Sequence, residues 1–584
     1  MIMQNEMLEI APLMAEGQFE RALDLARAAL EKDPLDAEMC HLAGVCSIGL
    51  GNAIQAESFW SRALELAPDA LEPRFNLGLL FLERNALRDA ESCFREILRI
   101  APENAAACAN LALLLERAER IEEAGEYHRR AVFLAGNSAE IRFNFANFLT
   151  RAGALEQAKS AFLEVIGISP THCGAWINLG NLLFDTGFIQ AAHTAYSAAA
   201  AYHPKETSAL VNLGNVLLQM DDPDSAERQF SSALSVDPAL AGAHQGLASV
   251  YCRQGDMERA AHHRKSGFGS NPVSTLPCRG NGRAIPLLAL ASSLEGNVPW
   301  RFLIDRHVFE TTIVAVEYFN AKELPEHELV FNAIGDADLC REGLGIAGAL
   351  LEKTDAPVIN LPERVLKTGR IENARRLSSL PGVVAPEISL ALKEEIEGKF
   401  PLLLRTPGFH GGNFFVKVED EVELLAAIGS LPGDRLMTMN FLDSRTGDGL
   451  YRKFRIMAIG GNLYPVHLAI SGQWKVHYFS SDMAGKEEYR MEEASFLGDY
   501  KAYLGADAVS ALERIRDELD LDYCGMDFGI DGNGRILLFE ANATMSIVPP
   551  KYEPQWEYRR AAMTNALDAA RRMFLDKLIT SGRL

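Results

Sequence analysis

Three residues near the C-terminus have side chains suited to holding a metal ion beside a phosphate. Asp527 lies in an apolar run, and Glu540 and Asn542 follow it after the turn-forming stretch 531–534 (DGNG). Such a turn predicts a β-hairpin, and residues two apart on a strand point to the same face. Glu540 and Asn542 should therefore face the strand that carries Asp527. Carboxylate and amide oxygens are ligands of Mg²⁺ held jointly with phosphate oxygens, so the hairpin predicts a magnesium site.

The surroundings of Glu540 and Asn542 favour this metal site over a polar hairpin face that binds only water. Both residues directly follow the strongly apolar stretch 536–539 (ILLF). A polar side chain in such a strand costs free energy unless it finds a partner. A bound metal ion would be that partner, and the metal site is the preferred interpretation.

Cationic residues lie in two segments that precede the hairpin. Arg405 ends an apolar run before the glycine-containing turn 408–413 (GFHGGN), whose backbone N–H groups can lie over nucleotide phosphates. An ordinary hairpin turn would show the same pattern. Lys453 and Arg455 alternate with Phe454 and so project from one face of a strand. Two such cations usually meet solvent or a salt bridge, but beside a phosphate they stabilise a transferring phosphoryl group.

The elements that must position these residues are predicted to form a layered α/β structure. β-rich stretches at 286–292, 311–319, 328–334 and 356–361 surround a helical stretch at 345–353. This alternation predicts a parallel or mixed sheet covered by helices. The preceding stretch 274–286 is rich in Gly, Pro and polar residues, which is typical of a linker.

The first half of the chain repeats with a period of 34 residues. Proline recurs at 34, 68, 102, 170, 204, 238 and 272, and Gly136 takes the skipped position. A small residue stands twelve positions earlier in most units, where it lets two antiparallel helices approach closely: Ala56, Ala90, Ala158, Ala192, Ala226 and Ala260. The period predicts eight stacked helical pairs from about residue 3 to 272.

These units resemble the tetratricopeptide repeat, and the sixth unit shows the motif most completely. Its motif residues are Trp176, Leu179, Gly180, Ala192, Tyr196, Ala199 and Pro204. The first unit departs from the motif at Ile10, and the eighth has Arg264 where an aromatic residue is usual. Both departures suit repeats that cap the array or dock another domain. The resemblance implies a superhelix whose concave surface binds an elongated partner.

Asparagine recurs at one position in the first helix of five consecutive units. These residues are Asn76, Asn110, Asn144, Asn178 and Asn212. Asparagine is a poor helix former, so its repetition indicates a specific role. The pattern resembles the asparagine ladder of protein O-GlcNAc transferase repeats, which implies amides that hold a peptide backbone. The alternative is that each amide only bridges neighbouring helices.

The chemistry-bearing segments, in their order, resemble the ATP-grasp superfamily, closest in character to prokaryotic glutathione synthetase and ribosomal-protein glutamate ligases. The resemblance spans about 284–584. It implies magnesium on Asp527, Glu540 and Asn542, and a catalytic role for Arg455 and Lys453. It also implies ATP contacts from the residues that match the phosphate-binding and adenine-binding segments: Arg370, Arg405, His410, Gly411, Gly412, Asn413, Met439, Asn440, Phe441 and Leu442.

The chain departs from the ATP-grasp pattern in three places. Arg370 and Arg405 stand where lysine is usual, and Asn440 replaces an acidic residue of the adenine hinge. Arginine still binds phosphate, so these changes are compatible with ATP. Lys453 replaces the aspartate of a D-x-R strand, which indicates an altered acceptor site. No acid–base role is assigned to His410, His467 or His477, because histidines in β-rich segments are more often structural.

The expected fold class is α + α/β, with an all-α tetratricopeptide superhelix followed by an ATP-grasp domain. The predicted boundaries are 1–272 for the repeats, 273–285 for a linker, 286–362 for an α/β subdomain and 363–584 for the ATP-grasp domain. The expected function is ATP-dependent carboxylate–amine ligation through an acyl phosphate. A peptide or protein held by the repeats and a small carboxylate or amine would be the partners. The alternatives are a phosphotransferase and an interaction scaffold whose nucleotide site does not ligate.

Composition bounds the remaining possibilities. With 48% hydrophobic and 23% charged residues, the chain is typical of soluble globular proteins. A formal charge of −22 disfavours nucleic acid and anionic membranes as partners. The sequence shows no apolar run long enough to cross a bilayer and no basic signal segment at its start. The nine cysteines contain no Cys-x-x-Cys pair, so we expect a reduced, cytoplasmic protein.

Overall fold

The computed structural model describes residues 2–280, 282–408, 414–476, 478, 481–550 and 553–584, without the side chains of 2–8 and 301. The predicted phosphate-turn residues His410, Gly411, Gly412 and Asn413 therefore lie outside the described residues, as does His477. The chain forms two compact units, Met1–Leu182 and Leu183–Leu584. Among the described residues, none of the helices is both long and apolar enough to span a bilayer.

The first unit consists of helices in which each helix contacts the next along the chain. Side chains of Asp36, Asn104 and Ser138 cap helix starts by accepting a backbone N–H three residues on, which satisfies a group that the helix leaves unpaired. The helices are α1 Ile2–Ala15, α2 Phe19–Lys32, α3 Ala37–Gly49, α4 Ala53–Leu66, α5 Leu71–Glu83, α6 Leu87–Ile100, α7 Ala105–Arg117, α8 Ile121–Ala135, α9 Ala139–Arg151 and α10 Leu155–Ile168, and α11 Cys173–Asp185 crosses the boundary between the units.

The small residues of the repeats contact large ones, as the sequence pattern predicts. A Cβ atom on Gly78 would lie 2.9 Å from the ring of Phe94, and one on Gly214 would lie 2.6 Å from the ring of Phe230. Both positions admit no side chain, because ordinary contacts between carbon atoms are about 3.5–4 Å. Glycine at these positions therefore allows an aromatic ring of the following helix to fill the space between the two helices.

The second unit continues with five more helices, which completes sixteen consecutive helices within residues 2–268. They are α12 Ile189–Tyr202, α13 Thr207–Gln219, α14 Pro223–Val236, α15 Ala241–Gln254 and α16 Met257–Phe268. The segment predicted as a linker contains a strand, β1 Val273–Leu276. Polar side chains made this segment read as a loop, but antiparallel pairing with a later strand satisfies its backbone.

A five-stranded sheet follows, and all of its strands except β1 fall on the stretches predicted to be β-rich. It contains β1, β2 Ile285–Ala291, β3 Phe309–Ala315, β4 Leu329–Asn332 and β5 Val358–Ile359. The order is β1-β3-β2-β4-β5, with β2 to β5 parallel and β1 antiparallel to β3. Helix α17, Arg341–Leu351, follows β4 and buries Leu344, Ala347 and Leu350.

Two further sheets form the rest of the second unit. One has the order β7-β10-β8-β9 and the other β12-β11-β13-β14-β6. Phe454 of β11 stacks on Phe528 of β13 at 5.3 Å, inside the core of the second of these sheets. The elements are α18 Pro362–Val365, α19 Arg370–Leu377, β6 Val383–Val384, β7 Ile388–Leu392, β8 Leu402–Arg405, β9 Phe415–Val418, α20 Glu421–Ser430, β10 Arg435–Asn440, β11 Tyr451–Ile459, β12 Asn462–Ser471, α21 Glu487–Gly498, α22 Tyr500–Leu504, α23 Ala506–Leu519, β13 Tyr523–Ile530, β14 Ile536–Asn542 and α24 Arg560–Thr580.

Removing the Phe94 ring should destabilise the first unit strongly. Phe94 is fully buried, whereas Phe133 of the same unit is 86% exposed. We expect Phe94→Ala to lower the free energy of unfolding by about 3–5 kcal/mol, because it leaves a cavity between helices. Phe133→Ala is the matched control and should change it by less than about 0.5 kcal/mol. Urea denaturation followed by circular dichroism measures both, and equal effects of the two variants would contradict this packing.

Candidate functional site

The predicted hairpin is present, and its three polar residues Asp527, Glu540 and Asn542 line one cavity. Strands β13 and β14 pair antiparallel, with Asp527 opposite Glu540 and Gly525 opposite Asn542. A bulge follows Asp527, where the register shifts by one residue. The opposed pair places both carboxylates on the same face of the sheet, and both line one cavity.

Asp527 carries the densest charge contacts of this face. Its carboxylate accepts two hydrogen bonds from the Arg455 guanidinium of β11, at 2.6 and 2.8 Å. The Lys453 ammonium lies 2.7 Å from the same carboxylate. Burial alone would raise the pKa of Asp527, but the Arg455 and Lys453 charges outweigh it and hold that pKa far below its ordinary value. Asp527 is therefore an ionised carboxylate that is only 1% exposed.

The pairing of β11 with both neighbours explains these contacts. Arg455 is directly opposite Asp527 on β13 and opposite His467 on β12. Lys453 lies two residues from Arg455 and so shares its face, as the alternation predicts. Burial lowers the pKa of His467 well below its ordinary value, and the Arg455 charge adds to this. His467 is thus a neutral residue, and its ring contacts Tyr478 at 4.9 Å.

Glu540 is held by a different cation, which comes from helix α19. The Arg370 guanidinium donates to Glu540 at 3.0 Å and to Asp338 at 3.2 Å. Burial would raise the pKa of Glu540, yet the Arg370 and Arg405 charges lower it below the usual value. Arg405 at the end of β8 lies in the same field, and burial together with Arg370 lowers its pKa. Two guanidiniums and a carboxylate therefore share one end of the cavity.

Asn542 has a local contact that the sequence pattern did not predict. Its side-chain oxygen accepts hydrogen bonds from the backbone N–H and hydroxyl of Thr544, at 3.0 and 2.8 Å. Serving as a metal ligand would require Asn542 to release or share these bonds. Within the part of the chain that the structure describes, no group of three or more His, Cys, Asp and Glu side chains could hold a metal ion. Asp527 and Glu540 offer two carboxylates, which would fit Mg²⁺ only when further oxygen ligands such as phosphate and water complete its shell.

The cavity has a volume of about 770 Å³, which is within the range of ligand sites. Met439, Asn440, Phe441 and Leu442, the predicted adenine segment, line it together. Asn440 is fixed by Glu387, whose backbone N–H donates to its side-chain oxygen at 2.6 Å. The neighbours of Asn440, which are Met439, Phe441 and Leu442, give the cavity an apolar surface.

Some cavity residues escaped the sequence analysis. Asp336 and Asp338 follow β4, and Trp474 and Lys475 follow β12, in loops without a recognisable motif. Lys475 donates to the backbone oxygen of Phe415 at 3.3 Å. The only sequence signal for the first pair was the Asp-x-Asp spacing after a buried strand, which by itself does not distinguish a site from a helix cap.

The asparagine positions in the repeats are half-buried, and several amides already have contacts. Asn76 lies 3.1 Å from a ring nitrogen of His41, and Asn110 donates to the backbone oxygen of Ala106. Asn178 donates to the Asn147 amide at 2.8 Å. Bridging between neighbouring helices therefore accounts for Asn76 and Asn178. Among the described residues, the Asn144 side chain forms no hydrogen bond, whereas Asn212 has a partner.

Comparisons with known proteins identify the repeats. One sequence model described as a tetratricopeptide repeat matches residues 13–76, and another with the same description matches 48–105, 75–139, 177–219 and 211–263. The N-terminal region of this chain therefore carries tetratricopeptide repeats, and a sheet-containing region follows them. A search of curated proteins found no match.

Several solved repeat structures are similar to part of the chain. YrrB, described as a TPR protein with an unusual peptide-binding site, is 26% identical over 32% of this chain and 95% of its own, with a TM-score of 0.28. The pilF protein of Pseudomonas aeruginosa is 20% identical over 35% of this chain and 93% of its own, with a TM-score of 0.32. Yeast Tom70 is 18% identical over 43% of this chain and 54% of its own, with a TM-score of 0.32.

The charge pairing of Asp527 predicts how stability depends on pH. The pKa of Asp527 in the folded protein lies below its ordinary value of 3.8, so the ionised form stabilises the fold above that pH. This contribution is lost as the pH falls below 3.8 towards the folded-state pKa. We expect Asp527→Asn to be less stable at neutral pH, with a difference from wild type that shrinks on acidification. Guanidinium denaturation of both proteins over a pH series measures this, and a difference that grows towards acid would contradict the pairing.

Proposed function

We propose that the chain is an ATP-dependent carboxylate–amine ligase of the ATP-grasp kind, whose substrate is a peptide or protein recruited by the repeats. The observation that carries the proposal is the arrangement of charges around one cavity. Two carboxylates, Asp527 and Glu540, face it from paired strands. Arg370, Arg405 and Arg455 bring cations to the same cavity from three other elements.

This arrangement suits a nucleotide with its phosphates. The backbone and apolar side chains of 439–442 would hold the adenine at one end of the cavity, and Arg370 and Arg405 would bind phosphate oxygens at the other. Asp527 and Glu540 would hold a magnesium ion, whose charge would offset part of that of the phosphates. Arg370, Arg455 and Lys453, which pair with these carboxylates, have long side chains that would turn towards the phosphate oxygens.

In the proposed reaction, a carboxylate oxygen of one substrate attacks the γ-phosphorus of ATP. ADP leaves, and an acyl phosphate forms. The amine of the second substrate then attacks the acyl carbon, phosphate departs with the bonding pair, and the amine loses a proton. Arg455 and Lys453, which line the cavity, would offset the negative charge that develops on the acyl phosphate. His467 is poorly suited to proton transfer, because burial and its cationic neighbours hold its pKa well below the ordinary value and so make it a weak base.

Two other functions predict different products from the same cavity. A phosphotransferase would stop at a phosphorylated substrate and release no free phosphate. A scaffold would bind partners through the repeats and show no turnover. The paired carboxylates favour catalysis over a scaffold, since a buried Asp527 beside a partly buried Glu540 costs free energy that a purely structural domain could avoid with apolar residues.

The repeats supply the argument for a peptide or protein substrate. Stacked helical repeats present a long continuous surface, which suits an extended chain better than a small metabolite. Amides that are not fully engaged can pair with both groups of a peptide bond. Asn110 and Asn144 are the preferred contacts, because the hydrogen bond of Asn110 stays within its own helix and Asn144 has none among the described residues.

Product analysis of full-length protein tests the proposed reaction. With MgATP and pooled amino acids and peptides, we expect ADP and phosphate in equal amounts and a mass gain on one peptide. Glu540→Gln should lower the rate by at least about a hundredfold, since it removes a charge that holds the metal. Glu372→Gln, an exposed substitution on the helix that carries Arg370, is the matched control and should retain wild-type turnover. ADP without free phosphate would support the phosphotransferase, and no turnover would support the scaffold.

Substitution in the asparagine ladder tests the role of the repeats. For the peptide that gains mass, we expect Asn110→Ala with Asn144→Ala to raise KM by roughly tenfold and leave kcat unchanged, because lost hydrogen bonds weaken binding away from the reacting atoms. Asn137→Ala, in an exposed loop of the same unit, should have no effect. An unchanged KM in the double variant would indicate that the amides only bridge helices.

A further inference from the structure

One repeat position shows an exchange of an aromatic residue for a cation. The residue eight positions before the end of each unit is Trp60, Phe94, His128, Phe162, Tyr196 or Phe230 in units two to seven. All six side chains are buried, with at most 3% exposure. The eighth unit has Arg264 at this position. A guanidinium at a site that is otherwise filled by a ring requires a polar reason.

The environment of Arg264 leaves its charge available. Arg264 lies on α16, is half-buried and donates to the sulfur of Cys252 on α15 at 3.1 Å. Glu295, an acidic residue that lines a cavity together with Arg264, is paired with Arg253 at 3.3 Å. Among the described residues, no carboxylate forms an ion pair with Arg264. A cation whose partner is only a thiol is suited to bind an anion from outside the chain.

Arg264 faces a second cavity, with a volume of about 820 Å³. One wall comes from α15 and α16 and includes Gln245 and Ser249. The opposite wall comes from the first sheet and the loop after β2, with Ser293 and Trp300. A charged group, several hydroxyls and amides, and an aromatic ring therefore surround a space that holds an amino acid or a short peptide end.

The sheet topology points to the same place. The chain runs from β2 to β3 on one side and then crosses to β4 on the other side of β2. Ligands of parallel sheets bind beyond the carboxyl ends of the strands, where the direction of the connections reverses. Ala291 and Ala315, the last residues of β2 and β3, line this cavity. The cavity thus lies beyond the carboxyl ends of two parallel strands, β2 and β3, on the edge of the sheet at which such sheets bind ligands.

The second cavity adjoins the charged one. Thr544, two residues after Asn542, lines both. The backbone oxygen of Gly296, which lines the second cavity, accepts the N–H of Asp336, which lines the first, at 3.0 Å. One layer of chain separates the cavities there. A molecule anchored in the second cavity would extend past Thr544 towards Glu540.

Contacts fix the last repeat against the sheet, so the wall that carries Arg264 has a defined position. Arg253 of α15 pairs with Glu295, and the ring of Phe268 stacks on Tyr318 at 6.0 Å. The backbone oxygen of Pro272 accepts the N–H of Ala315 at 2.8 Å. These contacts hold α15, α16 and the residue before β1 against the sheet region.

We propose that Arg264 binds a carboxylate and that the cavity between α15, α16 and the first sheet is the subsite for the second substrate. The ligand is a free amino acid or the C-terminal end of a peptide, both of which offer a carboxylate to a guanidinium fork. The role of this cavity as a substrate subsite rests on the proposed ligase function. The binding itself does not depend on ATP.

Equilibrium dialysis with mass spectrometry on full-length protein tests this binding. The probes are a pool of free amino acids and a pool of octapeptides, the latter with free or amidated C-termini. We expect wild type to retain a carboxylate-bearing probe, and Arg264→Gln and Arg264→Phe to retain at least about tenfold less. Arg264→Phe restores the aromatic residue of the other repeats, so it guards against misfolding. Arg259→Gln, an exposed cation on the same helix, is the control and should bind as wild type does.

Each outcome decides the proposal. Loss confined to free amino acids, or to octapeptides with a free C-terminus, supports it and names the source of the carboxylate. Equal retention by wild type and Arg264→Phe overturns it, as does retention of amidated and free peptides alike. MgATP binding by the wild type is measured in parallel. Binding of MgATP without any carboxylate probe overturns the subsite and leaves the ligase, whereas a retained carboxylate probe without MgATP binding supports the subsite and removes the ligase.

Discussion

The C-terminal half of the protein is organised around one buried, ionised carboxylate. Asp527 is 1% exposed, and a charge at that depth is tolerated only with close partners of opposite sign. Pairing of β11 with β13 supplies them, because it sets Arg455 directly opposite Asp527 and Lys453 on the same face. Any other register would leave these charges buried without partners. The ion pairs thereby fix the alignment of the strands that shape the cavity.

A second consequence concerns the neighbours of this cluster. Glu540 on β14 lies directly opposite Asp527 on β13. Two carboxylates on paired positions would repel each other unless cations from neighbouring elements offset their charge. Arg370 reaches Glu540 from α19, a helix 170 positions earlier in the chain. The cavity thus holds alternating charges in balance. A phosphate and a divalent cation entering together would preserve that balance, since each offers a partner to one set of side chains.

Features encoded by short-range patterns could be predicted, and features that depend on distant contacts could not. The repeats follow from a fixed period, and the hairpin of Asp527 and Glu540 follows from its turn and strand alternation. The strand β1 was missed because its stability comes from β3, which lies some way along the chain. Likewise, nothing local indicates that Arg370 meets Glu540 or that Thr544 engages Asn542. The phosphate turn at 409–413 lies outside the described residues, so its role stays a prediction.

The repeats and the α/β region meet in the last helical pair of the second unit. Arg264 marked this pair as unusual in the sequence, and the structure places it on a cavity next to the charged one. Contacts of α15 and α16 with the region of the first sheet fix this last helical pair against the α/β region. Under the proposed function, the last repeat would therefore line the cavity that binds the second substrate, next to the proposed ATP site.

Calorimetric titration of the full-length protein with a non-hydrolysable ATP analogue shows whether the charged cavity binds MgATP. We expect saturable binding of one nucleotide per chain in the presence of Mg²⁺. Binding should be clearly weaker when the metal is chelated, since the carboxylates would then face the phosphates without a cation to offset their charge. Absence of binding with Mg²⁺ present, or binding that strengthens when the metal is removed, would contradict this expectation.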